Sequence, residues 1–320
     1  MKAIRVHEFG NPSVMEIEEI AAPEPDEHQV VVRIQAAGVN PVDTYIRAGA
    51  YARRPELPYT PGIDGAGVIE KVGSAVTQFQ VGDRIYGGWP LSGTYAEMAL
   101  YSVDQIYPLP AQISFTQGAG IFVPYSTAYR ALFCKGQAQP GDTVLIHGAT
   151  GGVGLAATQL AVAAGMRVIG TGGTPEGRSL VKTQGASLVF DHSAPDYAEQ
   201  ILAATEGQGV NVILEMLANR NLATDLTLIA AQGRIVIIGN RGSIEVNPRD
   251  IMAKEALITG LTLFNTPPQE NVQIQAALQA GLKQGFLLPI VNREFPLAEA
   301  AHAHEAVMVP GAQGNLVLIP

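Results

Sequence analysis

The sequence predicts an α/β protein: a doubly wound parallel sheet, helices on both faces, carried by a chain whose first third is β-rich. Three observations support this. After Asp142, six short apolar runs alternate with helical stretches, the pattern of parallel strands joined by crossover helices. The first run, Thr143-Val144-Leu145-Ile146, enters a glycine-dense turn, His147-Gly148-Ala149-Thr150-Gly151-Gly152-Val153-Gly154, and an alanine-rich helix leaves it. Before about Val123 the chain shows short strands punctuated by Gly and Pro, with few helices.

Taken in order, Val30 to Ala36 reads as a strand, and Gly65 to Gly73 as another whose glycines mark bulges or close backbone approach. Val81 to Tyr86 is a turn and a strand, and Tyr95 to Leu100 a further strand. Small apolar residues from Gly118 to Cys134 predict a helix. The sheet strands follow at Val144 to His147, Arg167 to Thr171, Ser187 to Phe190, Val210 to Leu214, Gly233 to Ile238 and Ala256 to Leu263. Helices are expected over Val153 to Ala164, Gly177 to Gln184, Ala198 to Thr205 and Asn221 to Ile229. Two tail helices, Val272 to Gln284 and Leu297 to Met308, and a strand at Gly314 to Ile319 do not extend such a sheet naturally. They are expected to return to the first domain. The division predicted is 1–123 and 266–320 for the β-rich domain, with 124–265 inserted as the parallel-sheet domain.

Composition narrows the class. The chain has 320 residues, 47% of them hydrophobic and 15% charged, with a net charge of −9. That balance and the lack of a basic run argue against nucleic acid as a main partner. No apolar run is long enough to span a bilayer, and the N-terminus lacks a signal-peptide core. A cytoplasmic protein is expected. Cys134 is the single cysteine, which excludes an intrachain disulfide and a cysteine-cluster zinc site; it reads as apolar filler.

The glycine turn reads Ala149-x-Gly151-x-x-Gly154, a dinucleotide fingerprint with alanine at its first position. Glycines there let a pyrophosphate approach the backbone and let helix pack on strand, and free N–H groups at the helix start attract phosphate. A glycine-rich turn without ligand is the competing reading. In such sheets ligands lie beyond the carboxyl ends of the strands. That rule selects Thr150 to Val153, Gly172 to Thr174, Asp191-His192, Met216 to Asn221, Gly239 to Arg241 and Phe264-Asn265. Asn219 and Asn221 are either ligand contacts or plain turn residues. The second strand ends without the carboxylate that would hold both hydroxyls of an NAD ribose, while Arg178 and Lys182 follow on the next helix. This favours NADP(H), with Glu176 nearby as a counterweight. The alternative for Arg178 and Lys182 is a solvated helix face.

Three stretches, Ala37 to Arg47, Leu57 to Gly67 and Val81-Gly82-Asp83-Arg84, resemble the catalytic domain of medium-chain dehydrogenases/reductases. The resemblance implies a GroES-like β-rich catalytic domain plus a Rossmann domain. Zinc alcohol dehydrogenases of that superfamily carry a cysteine in the first motif and Gly-His-Glu in the second. Here these read Gly38-Val39-Asn40-Pro41-Val42-Asp43 and Gly62-Ile63-Asp64, so neither zinc site is expected.

Further segments, Asn40 to Arg47, Val123 to Leu132, His147 to Gly154, Glu215-Met216-Leu217-Ala218-Asn219 and Asn247-Pro248-Arg249-Asp250, resemble the zinc-independent, zeta-crystallin-like quinone oxidoreductases along nearly the whole chain. That family implies NADPH-dependent quinone reduction without metal. It carries NADPH contacts onto Tyr45, Thr127, Thr150, Gly151, Gly152 and Val153, and onto Gly173, His192 and Asn221. It adds Ile238, Gly239, Asn240 and Arg241, and Leu261, Thr262 and Leu263. Some bacterial members place an arginine just before the last strand; here Pro310 to Asn315 holds no cation, so any 2′-phosphate selectivity falls to Arg178, Lys182 or Arg241.

A quinone is already electrophilic, so the reaction needs orientation and donors near the acceptor oxygen rather than a Lewis acid. Asn40, Tyr45 and Tyr51 are the candidates, Tyr45 as donor or proton source, with packing and one cofactor hydrogen bond as the alternative. Asp43 reads either as a base or, favoured by Arg47 four residues on, as a partner in a structural ion pair. His7, His28, His302 and His304 read as surface or cap residues. Two other functions stay open: reduction of activated C=C bonds in enones, enals or enoyl thioesters, and a structural or AU-rich-RNA-binding role. The apolar sixth strand at a sheet edge predicts self-association as a homodimer, with a tetramer as the alternative.

Overall fold

The computed structural model describes residues 1–320. The chain opens with β1 (Lys2–Val6) and β2 (Met15–Glu19), an antiparallel pair, followed by the long β3 (Gln29–Val39). Helix α1 (Pro41–Arg47) follows directly, then β4 (Asp64–Val72), β5 (Arg84–Gly88), β6 (Met98–Ser102) and β7 (Ile106–Pro108). Short α2 (Phe115–Gly118) and α3 (Phe122–Tyr129) lead into a π turn, Arg130–Lys135. Then come β8 (Thr143–Ile146), α4 (Gly152–Ala163), β9 (Arg167–Thr171), α5 (Pro175–Thr183), β10 (Leu188–Phe190) and α6 (Tyr197–Ala204). The alternation continues with β11 (Val210–Glu215), α7 (Ala218–Leu228), β12 (Ile229–Ile237), α8 (Pro248–Lys254) and β13 (Leu257–Gly260). The tail holds α9 (Pro268–Gln284), β14 (Val291–Pro296), α10 (Ala300–Ala306) and β15 (Asn315–Ile319).

Two compact units result, Met1–Val123 with Gln279–Pro320, and Pro124–Leu278. The second boundary lies inside α9 rather than at residue 265. The early part of that helix is tied to the second unit, through Arg130 to Glu270 and through Gln275 Nε2 donating to Ser126 Oγ. Farther along, the carbonyls of Leu282 and Lys283 accept from Gln112 of the first unit.

In the first unit β3 organises the sheet. Its early residues, Gln29 to Arg33, pair with β6; its last, Ala37 to Val39, pair with β15; β4 runs along the other edge. Bulges between Val31 and Val32 and between Ile34 and Ala36 let one strand serve both neighbours. Val30, Val32 and Ile34 point into a core shared with Ile69, Ile85, Tyr101 and Phe295. At Gly38 an added Cβ would meet Ala119 O at 2.2 Å and Asp64 Cβ at 2.8 Å, so only glycine fits where β3 passes β4.

The second unit is a six-stranded, all-parallel sheet in the order β10-β9-β8-β11-β12-β13. Val144, Leu145 and Ile146 of the central β8 are fully buried, as strands covered on both faces must be. Each contributes roughly 1.5–3 kcal/mol through burial.

Several expected elements differ. The stretch from Gly118 to Cys134 is two helices and a π turn rather than one helix. Tyr95 and Ala96 join β1 through a bridge from Ala3 and a bond from Ile4 N, so β6 starts only at Met98. The sixth strand of the sheet stops at Gly260, because the Arg130 guanidinium takes the carbonyls of Thr262 and Asn265 and draws the chain off the ladder. β14 was hidden by its polar sequence, in which only Phe295 is buried.

Candidate functional site

The carboxyl ends of β8, β9, β11 and β12 bring the fingerprint turn and most of the expected contacts to one edge of the parallel sheet. Gly148 takes a left-handed φ of 56°, which turns the chain out of β8. Gly151 is extended and caps α4 without a side chain, leaving the first-turn amides of a twelve-residue helix with no intrahelical acceptor. The glycines differ in role. A Cβ on Gly154 would meet Gly148 O and Ala149 Cα, both at 2.5 Å, so this glycine lets helix sit on strand. A Cβ on Gly151 would meet only Gly148 O at 3.7 Å, so here glycine leaves open surface. Gly239 is closed in, with Met216 O 2.2 Å from a built Cβ. A bare amide-lined helix start next to an open glycine is what a dinucleotide pyrophosphate requires.

Around this turn, Thr150 is buried and its methyl packs toward Gly172 and Gly177. Val153 is half-buried. Gly173 and the exposed His192 lie together, a built Cβ on the glycine falling 3.2 Å from His192 Nε2. Partial desolvation of the ring lowers the His192 pKa against the opposing pull of Asp191, which favours the neutral form. Asn221 donates to Glu215 Oε1 at 3.1 Å. Asn219 Oδ1 accepts from Arg241 N at 3.0 Å, and Asn240 Nδ2 donates to Gly242 O at 2.6 Å. Ile238 N is held by Glu215 O. Thr127 is buried on α3, and the half-buried Leu261, Thr262 and Leu263 follow β13.

Of the three cations proposed for the 2′-phosphate, the two on α5 separate. Arg178 Nη1 donates to Gly172 O at 3.0 Å and to Asp191 Oδ2 at 2.8 Å, which places it at the tip of β9. Ser193, bonded to Asp191 through hydroxyl and amide, together with Arg178 keeps that carboxyl below its usual range. Lys182 sits exposed in the last turn of α5, about 12 Å along the helix from the Thr174 cap. α5 runs away from the strand ends, so the structure does not bring Lys182 to the site.

In the first unit, Asn40 follows β3 and starts α1. Its Nδ2 donates to Asp64 Oδ2 at 2.9 Å, and Val123 N donates to Asp64 Oδ1 at 2.8 Å. Asp64 is fully buried, and burial pushes its carboxyl well above the ordinary range. Tyr45 is half-buried on α1 and Tyr51 half-buried in the loop beyond it. The expected Asp43–Arg47 ion pair does not form. Asp43 Oδ2 instead accepts from Asn40 N at 2.9 Å, closing the start of α1, and burial raises Asp43 to about 7. His304, expected at the surface, is buried: α10 turns Ala300, Ala303 and His304 inward, and Tyr95 Oη lies 3.1 Å from His304 Nε2.

Sequence reasoning missed two groups. Arg130, 3% exposed, anchors the segment after β13 through Glu270 and the carbonyls of Thr262 and Asn265. His147, Glu215 and Asp225 form a buried cluster under the turn. The signal was a charged residue within an otherwise apolar run; nothing local named its partners.

A parallel-sheet unit with a dinucleotide turn, inserted in a β-rich unit, defines the medium-chain dehydrogenase/reductase class. The family models agree: alcohol dehydrogenase GroES-like domain over residues 26–111 and zinc-binding dehydrogenase over residues 152–279. The chain belongs to the quinone oxidoreductase family of that class. It is 48% identical over 321 residues to a Rattus norvegicus quinone oxidoreductase, covering 100% of this chain and 98% of the relative. A Pseudomonas aeruginosa quinone oxidoreductase is 36% identical over 327 residues, covering 100% and 99%. Among solved structures, Escherichia coli quinone oxidoreductase complexed with NADPH superimposes with a TM-score of 0.91 at 31% identity, covering 100% of both chains.

Proposed function

We propose that the protein is a zinc-independent NADPH:quinone reductase. The observation that carries this reading is the Asn40–Asp64 hydrogen bond. Asn40 lies in the motif where zinc dehydrogenases of the class carry a cysteine and Asp64 in the one where they carry Gly-His-Glu, and here they bond to each other, with Ile63 in place of the histidine. An amide and a carboxyl already paired form a poor zinc donor set.

NADPH, when bound, supplies the hydride. The chain's own residues do the rest. Gly151, Gly152 and Val153 would hold the pyrophosphate at the start of α4, and Arg178 at the tip of β9 would pair with the 2′-phosphate. Thr150, Gly173 and His192 would meet the cofactor near the tip of β9, while Thr127, Asn221, the Ile238–Arg241 segment and Leu261 to Leu263 would line the remaining contacts. Asn40, Tyr45 and Tyr51 serve the acceptor, Tyr45 donating a hydrogen bond to cofactor or acceptor oxygen. This set fits a two-electron acceptor that needs no polarising metal.

The finer assignments have separate support. A single cysteine suits a reducing compartment, so we place the protein in the cytoplasm; no helix is long and apolar enough to cross a membrane. β13 ends the sheet order and Leu257 is 56% exposed, which supports a homodimer formed by pairing of these edges. Sedimentation showing only monomer at micromolar concentration contradicts the dimer.

An NADPH-oxidation assay tests the reaction. Saturable turnover is expected with 1,4-naphthoquinone or 9,10-phenanthrenequinone. Turnover with enones and none with quinones moves the assignment to C=C reduction. No turnover with either class removes the enzyme reading and leaves binding to AU-rich RNA as the next test.

A further inference from the structure

Beneath the fingerprint turn lies a cluster that the proposed chemistry does not use. His147 is the last residue before Gly148. Its Nε2 lies 2.8 Å from Asp225 Oδ1 and 3.7 Å from Glu215 Oε2. Its Nδ1 lies 3.4 Å from Thr171 Oγ1, and that oxygen accepts from Gly148 N at 3.2 Å. Glu215 Oε1 accepts from Leu217 N and from Asn221 Nδ2. The cluster therefore touches the cofactor edge twice, at Gly148 and at the Leu217–Asn221 segment.

The hydrogen-bond inventory is one proton short if both acids are ionised. His147 is 3% exposed and both acids are 0% exposed. Glu215 Oε2 and Asp225 Oδ2 each lack a donor. Two carboxylates and one imidazolium would leave a net negative charge and two bare oxygens in a dry interior, a costly arrangement. One proton on Glu215 removes both problems: the acid then donates toward Asp225, and Asp225 also accepts from His147.

We propose that Glu215 is held as a neutral acid and hydrogen-bond donor in a buried Glu215–Asp225–His147 relay, and that these three positioning residues set the turn and the 217–221 segment for NADPH. The inference rests on the assignment of NADPH to this edge. Burial raises Glu215, a direction the neighbouring Asp225 reinforces and His147 opposes. At His147 burial works against the charged ring, and the hydrogen bond and charges of the two acids outweigh it. The other titratable groups facing the cluster are Tyr197 of α6 and His192 beyond β10. Neither places a cation against Glu215.

The relay makes an asymmetric demand on Glu215. Glutamine reproduces a neutral acid: its oxygen accepts from Leu217 N and Asn221, and its amide donates to Asp225. Alanine reproduces neither. NADPH affinity would be read by fluorescence titration from about pH 6 to about pH 9 on wild type, Glu215→Gln and Glu215→Ala, with melting temperatures of the cofactor-free proteins alongside. Glu215→Gln is expected to bind NADPH within about twofold of wild type at pH 6 and to abolish the loss of affinity that wild type shows toward pH 9. Glu215→Ala is expected to bind about tenfold or more weakly and to melt roughly 5 °C or more lower. Glu215→Gln as impaired as Glu215→Ala in binding and melting overturns the proposal, because the site then needs an ionised carboxylate or a metal. Identical pH profiles for wild type and Glu215→Gln overturn it too. Wild type that melts normally but binds no NADPH defeats the cofactor assignment instead, and the melting comparison still decides whether Glu215 acts as a donor.

Discussion

Asn40 and Asp64, 24 residues apart in sequence, are joined by a 2.9 Å hydrogen bond between side chains that are both buried. The bond links the residue after β3 to the first residue of β4. Asp64 has one further donor, the backbone of Val123. Removing the Asn40 amide leaves one carboxyl oxygen of a dry acid unsatisfied. Asn40→Ala is expected to cost about 1–3 kcal/mol, seen as a lower midpoint in urea with an unchanged slope. An unchanged midpoint shows that the pair contributes nothing to stability.

His304 and Asp43 give opposite pH dependences. Burial, aided by Arg47, holds the folded His304 at about 3 against an ordinary 6.5. The unfolded chain therefore binds the extra proton, and this contribution is complete above 6.5 and lost as pH falls toward about 3. Asp43 is raised from 3.8 to about 7, so the folded chain holds the proton and stability falls as pH rises through that window. The slopes oppose each other, each at most about 1.4 kcal/mol per pH unit, and cancel in part in the wild type. Single variants separate them. Relative to wild type, denaturant midpoints are expected to fall more steeply with rising pH between about 4 and about 7 in His304→Gln, and less steeply in Asp43→Asn. Parallel curves for the two variants contradict both assignments.

Arg178 distinguishes phosphate recognition from scaffolding. Arg178→Gln is expected to raise KM for NADPH about tenfold, a loss of about 1.4 kcal/mol, while KM for NADH stays nearly constant. An equal rise for both cofactors assigns Arg178 to holding Gly172 and Asp191 alone. Lys182→Gln is expected to change neither constant.

Gly154→Ala tests the turn. Its Cβ would collide at 2.5 Å with backbone atoms that cannot move aside. Loss of NADPH binding is expected with a stability cost of about 1–3 kcal/mol. Gly151→Ala, with open space at its Cβ, is expected to fold normally and to weaken NADPH only. Normal binding by both variants removes the pyrophosphate from this turn.

The architecture was legible because its signals are local. Six apolar runs, one glycine turn and a tail out of step with the sheet gave the order of elements and the inserted unit. Groups assembled by topology were not legible. His147 and Asp225 are 78 residues apart and meet because β8 lies beside β11. In Ala301-His302-Ala303-His304, an alanine before each histidine hides which ring faces the core, and the packing of α10 chooses His304. The end of β13 depends on Arg130, far away in sequence. Asp43 prefers a backbone amide three residues back to Arg47 on the next turn, a choice that spacing alone does not reveal.

The central claim is metal-free hydride delivery from NADPH to a quinone. Its most direct test is NADPH oxidation with 9,10-phenanthrenequinone by protein dialysed against a chelator and checked for zinc by elemental analysis. The expected result is full, saturable turnover without stoichiometric zinc, and a higher KM when NADH replaces NADPH. Turnover that vanishes with the metal and returns on adding zinc would contradict the account.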